Sequence, residues 1–378
     1  IPTVTMSAQA GRQRSSTDQA NGAARSHAVY GNSASLNWEL DLVGRVRRSV
    51  ESHRAETQAR ASDLHAMQVA VVSQVASTYI DLRAAQKMLG LSNANADSQR
   101  QTLEVVQGRL NAGRGSSYDL SRAQAQLDIT VSRIPQLEAR VAVDRHRLAV
   151  LAGLTPTALD ARLQKDTGMP AVPDNLDPGT PADLLRRRPD VASAEYQLHA
   201  ATARVGVATA DLFPRVSLGA AIGTFAFSGG GLYAASGESN LALLGVDWSF
   251  LDVGRVKSRI AASDAEASAG LARYQQTVLK ALEDVENALV RFARSKDENA
   301  RLASASNELE NAATIARTRY QAGAIELFEL LDVQRALYSA QIAQADSQAR
   351  STASAVDLYA SLAGGWPQYA VQPSGQVQ

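Results

Sequence analysis

The sequence contains no cysteine, few aromatic residues and no excess of charge of either sign. The absence of cysteine among 378 residues excludes disulfides, thiolate metal sites and thiol nucleophiles. Basic and acidic residues both number 38, so no positive surplus favours nucleic-acid binding. Aromatic residues make up 5% of the chain, which is thin for a compact core and suits long, closely packed helices better. No apolar run is long enough for a transmembrane helix, and no signal peptide is recognisable.

The chain repeats itself at an offset of 210 residues. Residues 36–46 resemble residues 246–256, with Trp38 equivalent to Trp248. Farther along, the sequence RLNAG at 109–113 matches RYQAG at 319–323. A repeat of this length is too long for a solenoid unit and indicates a duplicated half-molecule with pseudo-symmetric halves.

Each half begins with residues that alternate between apolar and polar, the pattern of a strand with one apolar face. The alternation predicts four strands, at about 2–11, 29–41, 214–224 and 241–251. In each half, a loop rich in glycine, serine and alanine joins the two strands into a hairpin. Two hairpins in one chain are too few to close a barrel or to protect the sheet edges.

After each hairpin, apolar residues recur every three or four positions, as in a coiled-coil seam. No proline interrupts this pattern, so residues 45–110 and 255–320 are each predicted to form one helix. At 1.5 Å per residue, each helix would be about 100 Å long. Each ends at a glycine, Gly113 or Gly323, which suits a left-handed C-terminal cap.

Shorter helices are predicted to follow these long ones. The first begins after an N-cap at Ser116 or Ser117, runs to about residue 152 and is expected to kink at Pro135. A second helix is predicted at 326–362. Between the halves, a segment rich in proline, glycine and aspartate predicts an extended linker, followed by a helix over 181–212.

Several short motifs complete the pattern. They are LLRRRPDV at 184–191, FPRVSL at 213–218, the two turns, LLDVQR at 330–335 and LAGGW at 362–366. Together with the duplicated hairpins and helices, they resemble the outer-membrane efflux factors, the TolC-like channels of Gram-negative bacteria. The motifs are similar to those of the branch that serves drug and metal efflux pumps.

The resemblance implies a mainly α fold with β structure, built from two structural repeats. Three protomers with four strands each would close a twelve-stranded membrane β-barrel, continued by a long α-helical periplasmic tunnel. In this family, N-terminal helices and a lipidated cysteine would precede Ile1, so the sequence is expected to lack its natural N-terminus. The expected divisions are a first repeat at 1–153 (β-hairpin 1–43, helical hairpin 44–153), a linker at 154–180, a second repeat at 181–366 (helix 181–212, β-hairpin 213–253, helical hairpin 254–366) and a tail at 367–378.

The resemblance also implies a periplasmic gate just past the second turn. Glu329 and Asp332 lie one helical turn apart, so a trimer would carry them as two stacked carboxylate rings. The first repeat has Asp119 and Arg122 at the equivalent positions. The alternative is that these are ordinary solvated charges of a helix. The resemblance adds an apolar and a basic position, and the expected gate is Phe328, Glu329, Asp332 and Arg335.

The two turns are expected to dock a periplasmic adaptor, because the resemblance places them at the far end of the tunnel. Both repeats keep Arg-x-x-x-Gly here although most aligned positions have diverged. The alternative is that each arginine only complements a helix dipole. The expected docking residues are Arg109, Gly113, Arg319 and Gly323.

No catalytic constellation, phosphate loop or dinucleotide motif is recognisable, so the chain is expected not to be an enzyme. No metal site or cofactor is expected either, because the histidines lie near no carboxylate or second histidine at ligand spacing and suggest surface positions. These histidines are His27, His53, His65, His146 and His199.

The sequence therefore predicts the outer-membrane channel of a tripartite efflux pump. It would be a passive exit duct for drugs, toxic compounds or metal ions, with a periplasmic extension. The expected partners are two further copies, a periplasmic adaptor, an inner-membrane transporter and outer-membrane lipid, without nucleic acid. A type I protein-secretion duct would share the fold, and a soluble periplasmic coiled-coil scaffold is the remaining alternative.

Overall fold

The computed structural model describes residues 2–14, 26–172 and 185–362. The four strands are β1 (Thr3–Arg14), β2 (Ser26–Leu40), β3 (Arg215–Ala226) and β4 (Glu238–Asp247). The helices are α1 (Arg45–Asn111), α2 (Ser117–Val131), α3 (Ile134–Leu151), α4 (Asp160–Leu163), α5 (Pro189–Ala210), α6 (Val253–Gln321) and α7 (Leu327–Ser361). The two long helices, the four strands and the helix predicted at 326–362 are confirmed, with small shifts of their ends.

Three boundaries differ from the sequence-based expectations. The fourth strand stops at Asp247, and residues 250–252 form a 3-10 turn instead of extending the strand. The helix expected to kink at Pro135 is interrupted at 132–133, and Pro135 lies in the first turn of α3, where its missing N–H costs no hydrogen bond. Within the described residues, the helix expected over 181–212 is interrupted at Arg188: residues 185–187 are helical and a new helix begins at Pro189, because the residue before a proline disfavours helical backbone.

The strands form one antiparallel sheet in the order β1-β2-β3-β4. Its register places apolar residues of all four strands on one face, since directly paired residues point to the same side. That face is uncovered within the described residues, and Met6 is 84% exposed. The outer edges of β1 and β4 have no described partner strand. The most exposed apolar side chains of this face are Val4, Met6, Ile222, Leu244 and Val246.

The chain separates into two compact units. The first comprises residues 1–61 and 193–276 and contains the sheet; the second comprises residues 62–192 and 277–378. These units cut across both sequence repeats, because each long helix contributes to both of them. The division into repeats at 1–153 and 181–366 stays a prediction about the chain's duplication, and the tail at 367–378 lies outside the described residues.

Within the second unit, the turns at 113 and 323 lie beside a small apolar cluster. It joins four helices, with Val106 from α1, Ala123 from α2, Tyr320 from α6 and Leu330 from α7. Leu330 is 1% exposed and Val106 is 2% exposed, so this cluster is a dry core that fixes the helix ends. No described helix is long and apolar enough to cross a membrane.

Candidate functional site at the helical turns

The two turns have the same backbone structure. Gly113 and Gly323 adopt φ values of 69° and 74°, as the sequence predicts. In the first turn, the Gly113 and Arg114 amides donate to the backbone oxygens of Leu110 and Arg109, at 2.9 Å each. Gly323 and Ala324 repeat this pattern at 3.0 and 2.9 Å, with Tyr320 and Arg319 as acceptors. Both turns are therefore Schellman caps, which favour glycine at the left-handed position because it has no Cβ.

Arg109 is used within the protein. Its Nη2 donates to the backbone oxygen of Tyr320 at 2.6 Å and to that of Gln321 at 3.4 Å. These are among the last carbonyls of α6, so Arg109 caps the end of the opposite long helix. Its guanidinium also lies 4.2 Å from the centroid of the Tyr320 ring, and burial raises the pKa of that phenol above its ordinary value. The first expected docking residue therefore braces the second turn.

Arg319 differs from its counterpart in the first repeat. It is exposed, and within the described residues its side chain has no hydrogen bond, ion pair or ring contact. The position equivalent to Tyr320 is Leu110, which offers a guanidinium no aromatic face. The structure thus leaves one of the two predicted docking arginines available to a partner.

The four expected gate residues lie on the exposed face of α7. Asp332 forms an ion pair with Arg335, three residues later on the same helix. Glu329 is exposed, and within the described part of the chain it has no hydrogen bond or ion pair. Phe328 is 55% exposed, and the Arg122 guanidinium lies 5.0 Å from its ring centroid. The opposite face of α7 holds the buried Leu327, Leu330 and Leu331.

Farther along α7, the seam with α1 becomes polar. Gln334 donates from Nε2 to the Thr102 hydroxyl at 3.1 Å, and the hydroxyls of Ser92 and Tyr338 lie 2.9 Å apart. Gln99 is 2% exposed, and no hydrogen bond reaches either of its amide atoms. Polar residues in a coiled-coil seam fix the register at a cost in stability. Because these seam residues are polar, apolar periodicity does not predict the seam, although its spacing of three and four residues is visible at 92, 95, 99 and 102.

A second set of contacts involves the sequence RPD at 188–190. Arg188 is 9% exposed and binds both carboxylate oxygens of Asp190, at 3.0 and 2.6 Å. It also donates to Asp284 of α6 at 3.2 Å and to the backbone oxygen of Ser361 at 3.2 Å. Burial opposes ionisation of Asp190, but the hydrogen bonds and charge of Arg188 outweigh it and hold the pKa of that carboxyl below its ordinary value. Arg188 therefore fixes the start of α5, a role the sequence did not predict.

The histidines are closer to carboxylates than expected. His199 lies 2.8 Å from Glu51, and His53 lies 3.1 Å from Glu56. The expectation that no carboxylate lies near a histidine was therefore wrong for these two residues. Both imidazoles are largely exposed, and the described residues contain no group of three His, Asp or Glu side chains that could hold a metal ion.

Comparison with known proteins identifies the family. The model of the outer membrane efflux protein family matches residues 1–154 and 180–364. Nodulation protein T of Rhizobium leguminosarum bv. viciae is 32% identical over 338 residues, covering 88% of this chain and 69% of that protein. The toluene efflux pump outer membrane protein TtgI of Pseudomonas putida is 30% identical over 336 residues, covering 87% of this chain and 70% of TtgI.

The fold agrees with these matches. The solved structure of the outer-membrane channel OprN superposes with a TM-score of 0.85 at 36% identity, over 97% of this chain and 82% of that one. This confirms the expected fold class, that of the trimeric channels in which strands form a barrel and long helices continue it. The family model and the similarity to TtgI also favour efflux over the alternatives of protein secretion and a soluble scaffold. The chain therefore belongs to the outer membrane efflux protein family and is the outer-membrane component of a Gram-negative efflux pump.

Proposed function

We propose that this protein is a passive exit duct for small molecules such as drugs, toxic compounds or metal ions. Three copies assemble into the duct, which receives its cargo from a periplasmic adaptor and an inner-membrane transporter. The protein does not chemically change its cargo but provides a passive channel through which the cargo leaves the cell. The observation that carries this proposal is the sheet, which has an uncovered apolar face and two edges without a described partner strand.

An unpaired edge exposes a row of backbone donors and acceptors, and hydrocarbon offers them no partner. Joining β4 of one copy to β1 of the next satisfies both edges, and three copies complete a closed sheet of about twelve strands. The apolar face then contacts outer-membrane lipid. The opposite face, which includes Thr5, Ser7 and Gln9, lines the aqueous interior.

The helical turns provide the proposed partner surface. Arg319 and Gly323 at the second turn and Arg109 and Gly113 at the first form the contact with the adaptor. In this arrangement Arg319 meets the adaptor directly, because its guanidinium has no contact within the described residues. Arg109 keeps the adjacent turn in shape through Tyr320.

The gate is the exposed face of α7, with Phe328, Glu329, Asp332 and Arg335. Three copies of Glu329 concentrate negative charge at the constriction, since no basic side chain pairs with it among the described residues. Asp332 is partly neutralised by Arg335 while the intrahelical pair holds. Releasing that pair adds a second carboxylate ring, so the ion pair tunes the charge of the gate.

Closure of the sheet is testable with introduced cysteines, because none of these 378 residues is cysteine. Ser7→Cys in β1 is combined with Ser239→Cys, Leu241→Cys or Leu243→Cys in β4, all on the same face of the sheet. Within one copy, β1 and β4 are separated by two strands, about 14 Å, which is too far for a disulfide. Oxidation of the full-length protein in outer membranes should therefore link copies into dimers and trimers on non-reducing gels.

The single variant Ser7→Cys is the control and should give no linked trimer. Trimers from at least one pair support closure of the sheet by three copies. If every pair stays monomeric under oxidation while the protein remains in the outer membrane, the edges do not meet and the duct proposal fails.

A further inference from the structure

The guanidinium of Arg122 contacts two aromatic rings, those of Tyr118 and Phe328, which are equivalent in the two repeats. Tyr118 and Phe328 occupy the same position in the two repeats, each at the start of the helix that follows a turn. The Arg122 guanidinium carbon lies 5.5 Å from the Tyr118 ring centroid and 5.0 Å from that of Phe328. Both distances lie within the range of a favourable contact between a cation and an aromatic face.

Only the first repeat can supply this cation. The residue equivalent to Arg122 is Asp332, which an aromatic face would not attract. Within the described residues, Arg122 has no hydrogen bond or ion pair, so the two rings are its contacts. The guanidinium is partly buried although both rings are more than half exposed. Arg122 therefore connects a surface residue of α2 with a surface residue of α7.

The backbone beneath these residues is fixed by other contacts. Leu327 and Leu330 are buried in the cluster that also holds Ala123, the residue after Arg122. Because that core holds the start of α7 against α2, losing Arg122 would leave the helices in place. The guanidinium instead restricts the rotamer of the Phe328 side chain. This side chain projects from the exposed face of α7 and could otherwise adopt other rotamers.

We propose that Arg122 is a positioning residue of the gate: it holds the Phe328 ring against the surface of its own protomer through contact with Tyr118. This proposal rests on the assignment of the exposed face of α7 as the gate. With Arg122 in place, the three Phe328 rings of a trimer keep one arrangement. Without it, the rings change rotamer more often, and the constriction fluctuates in width.

The test is single-channel recording of the full-length protein in planar bilayers. The substitutions are Arg122→Ala, Arg122→Lys, Phe328→Ala and the double variant Arg122→Ala with Phe328→Ala. Arg122→Ala should raise the frequency of transitions between current levels about two- to fivefold, as expected from losing a contact of this kind. Arg122→Lys keeps the cation and should lie close to the wild type. The double variant should match Phe328→Ala, because Arg122 acts through that ring.

Arg114→Ala is the matched control. Arg114 is exposed in the first turn, and no described hydrogen bond, ion pair or ring contact involves its side chain. This variant removes the same charge near the same place and should leave the current unchanged. An equal effect of Arg114→Ala would show that overall charge, rather than the ring contact, sets the current, and would overturn the proposal.

Other results distinguish the positioning role of Arg122 from the assignment of α7 as the gate. If Phe328→Ala alters the current but Arg122→Ala does not, or if their effects add in the double variant, the positioning role is wrong and the gate assignment stands. If neither Phe328→Ala nor Asp332→Ala alters the current, α7 is not the gate and both proposals fail.

Discussion

The turn of the first repeat and the turn of the second have the same backbone but use their side chains differently. Both end a long helix with a glycine at positive φ and the same pair of backbone hydrogen bonds. In the first turn, Arg109 is engaged with the other repeat; in the second, Arg319 is free within the described residues. The duplication preserved the geometry of the cap, and the side chains diverged around it.

The two repeats also differ in which of them supplies the arginine and which the aromatic ring. Arg109 and Arg122 both belong to the first repeat, and both contact an aromatic residue of the second, Tyr320 and Phe328. At the equivalents of those two aromatic positions the first repeat has Leu110 and Tyr118, and the second repeat has Asp332 at the equivalent of Arg122. These two contacts of Arg109 and Arg122 therefore run from the first repeat to the second. We infer that the first repeat supports the second turn and the start of α7, the surfaces proposed to meet the adaptor and the cargo.

The largest expected effect comes from distorting the backbone cap that the two turns have in common. Valine at positive φ is strained by about 1–3 kcal/mol, so Gly113→Val together with Gly323→Val should distort both caps. Adaptor cross-linking and drug resistance should be abolished. Assembly and membrane insertion should persist, because they depend on the sheet and on cores elsewhere.

Gly108→Ala is the matched control. Gly108 lies inside α1, and an added Cβ there meets nothing within 4 Å. Alanine in a helix interior is favoured over glycine by about 1 kcal/mol, so this variant should assemble and dock normally. Wild-type cross-linking and export by the double valine variant would mean that the turns are not a docking surface.

A smaller effect should separate the two arginines. Arg109→Ala removes a charged hydrogen bond to the end of α6 and the ring contact, at a cost of about 1.5–3 kcal/mol. Amide hydrogen exchange at 319–324 should accelerate by roughly tenfold or more, since about 1.4 kcal/mol corresponds to a factor of ten. Arg319→Ala should leave exchange unchanged, because exposed side chains without contacts contribute less than about 0.5 kcal/mol.

Adaptor cross-linking gives the complementary measurement. Arg319→Ala should reduce it although the turn stays intact. Equal changes in amide hydrogen exchange for the two variants would show that the two arginines are equivalent, as their matching motifs suggest. The proposed difference between the two turns would then be wrong.

Regular backbone structure was largely predictable from the sequence. Alternation located the strands, and the long proline-free apolar seams located α1 and α6. The repeated glycine predicted both positive φ values, because few other residues tolerate that conformation. The break at 132–133 was not predicted, because a proline in a helical pattern suggests a kink and does not reveal that a new helix starts just before it.

The division of roles at the site could not be predicted in the same way. Arg109 and Arg319 occur in matching motifs, and what distinguishes them is the neighbouring residue of the opposite turn, Tyr320 or Leu110. That pairing depends on tertiary contact across about 210 residues of chain. Arg188 was missed for a similar reason, since its partners Asp284 and Ser361 come from two distant helices.

The conductance of Asp332→Ala tests most directly whether the exposed face of α7 is the gate of an efflux duct. Asp97→Ala is the matched control, because Asp97 forms the same kind of exposed ion pair with Arg100, three residues later, on α1. In planar bilayers with the full-length protein, Asp332→Ala should raise single-channel conductance and weaken block by multivalent cations, because a carboxylate ring is lost. Asp97→Ala should do neither. Unchanged conductance and cation block in Asp332→Ala, or equal changes in both variants, would contradict the account.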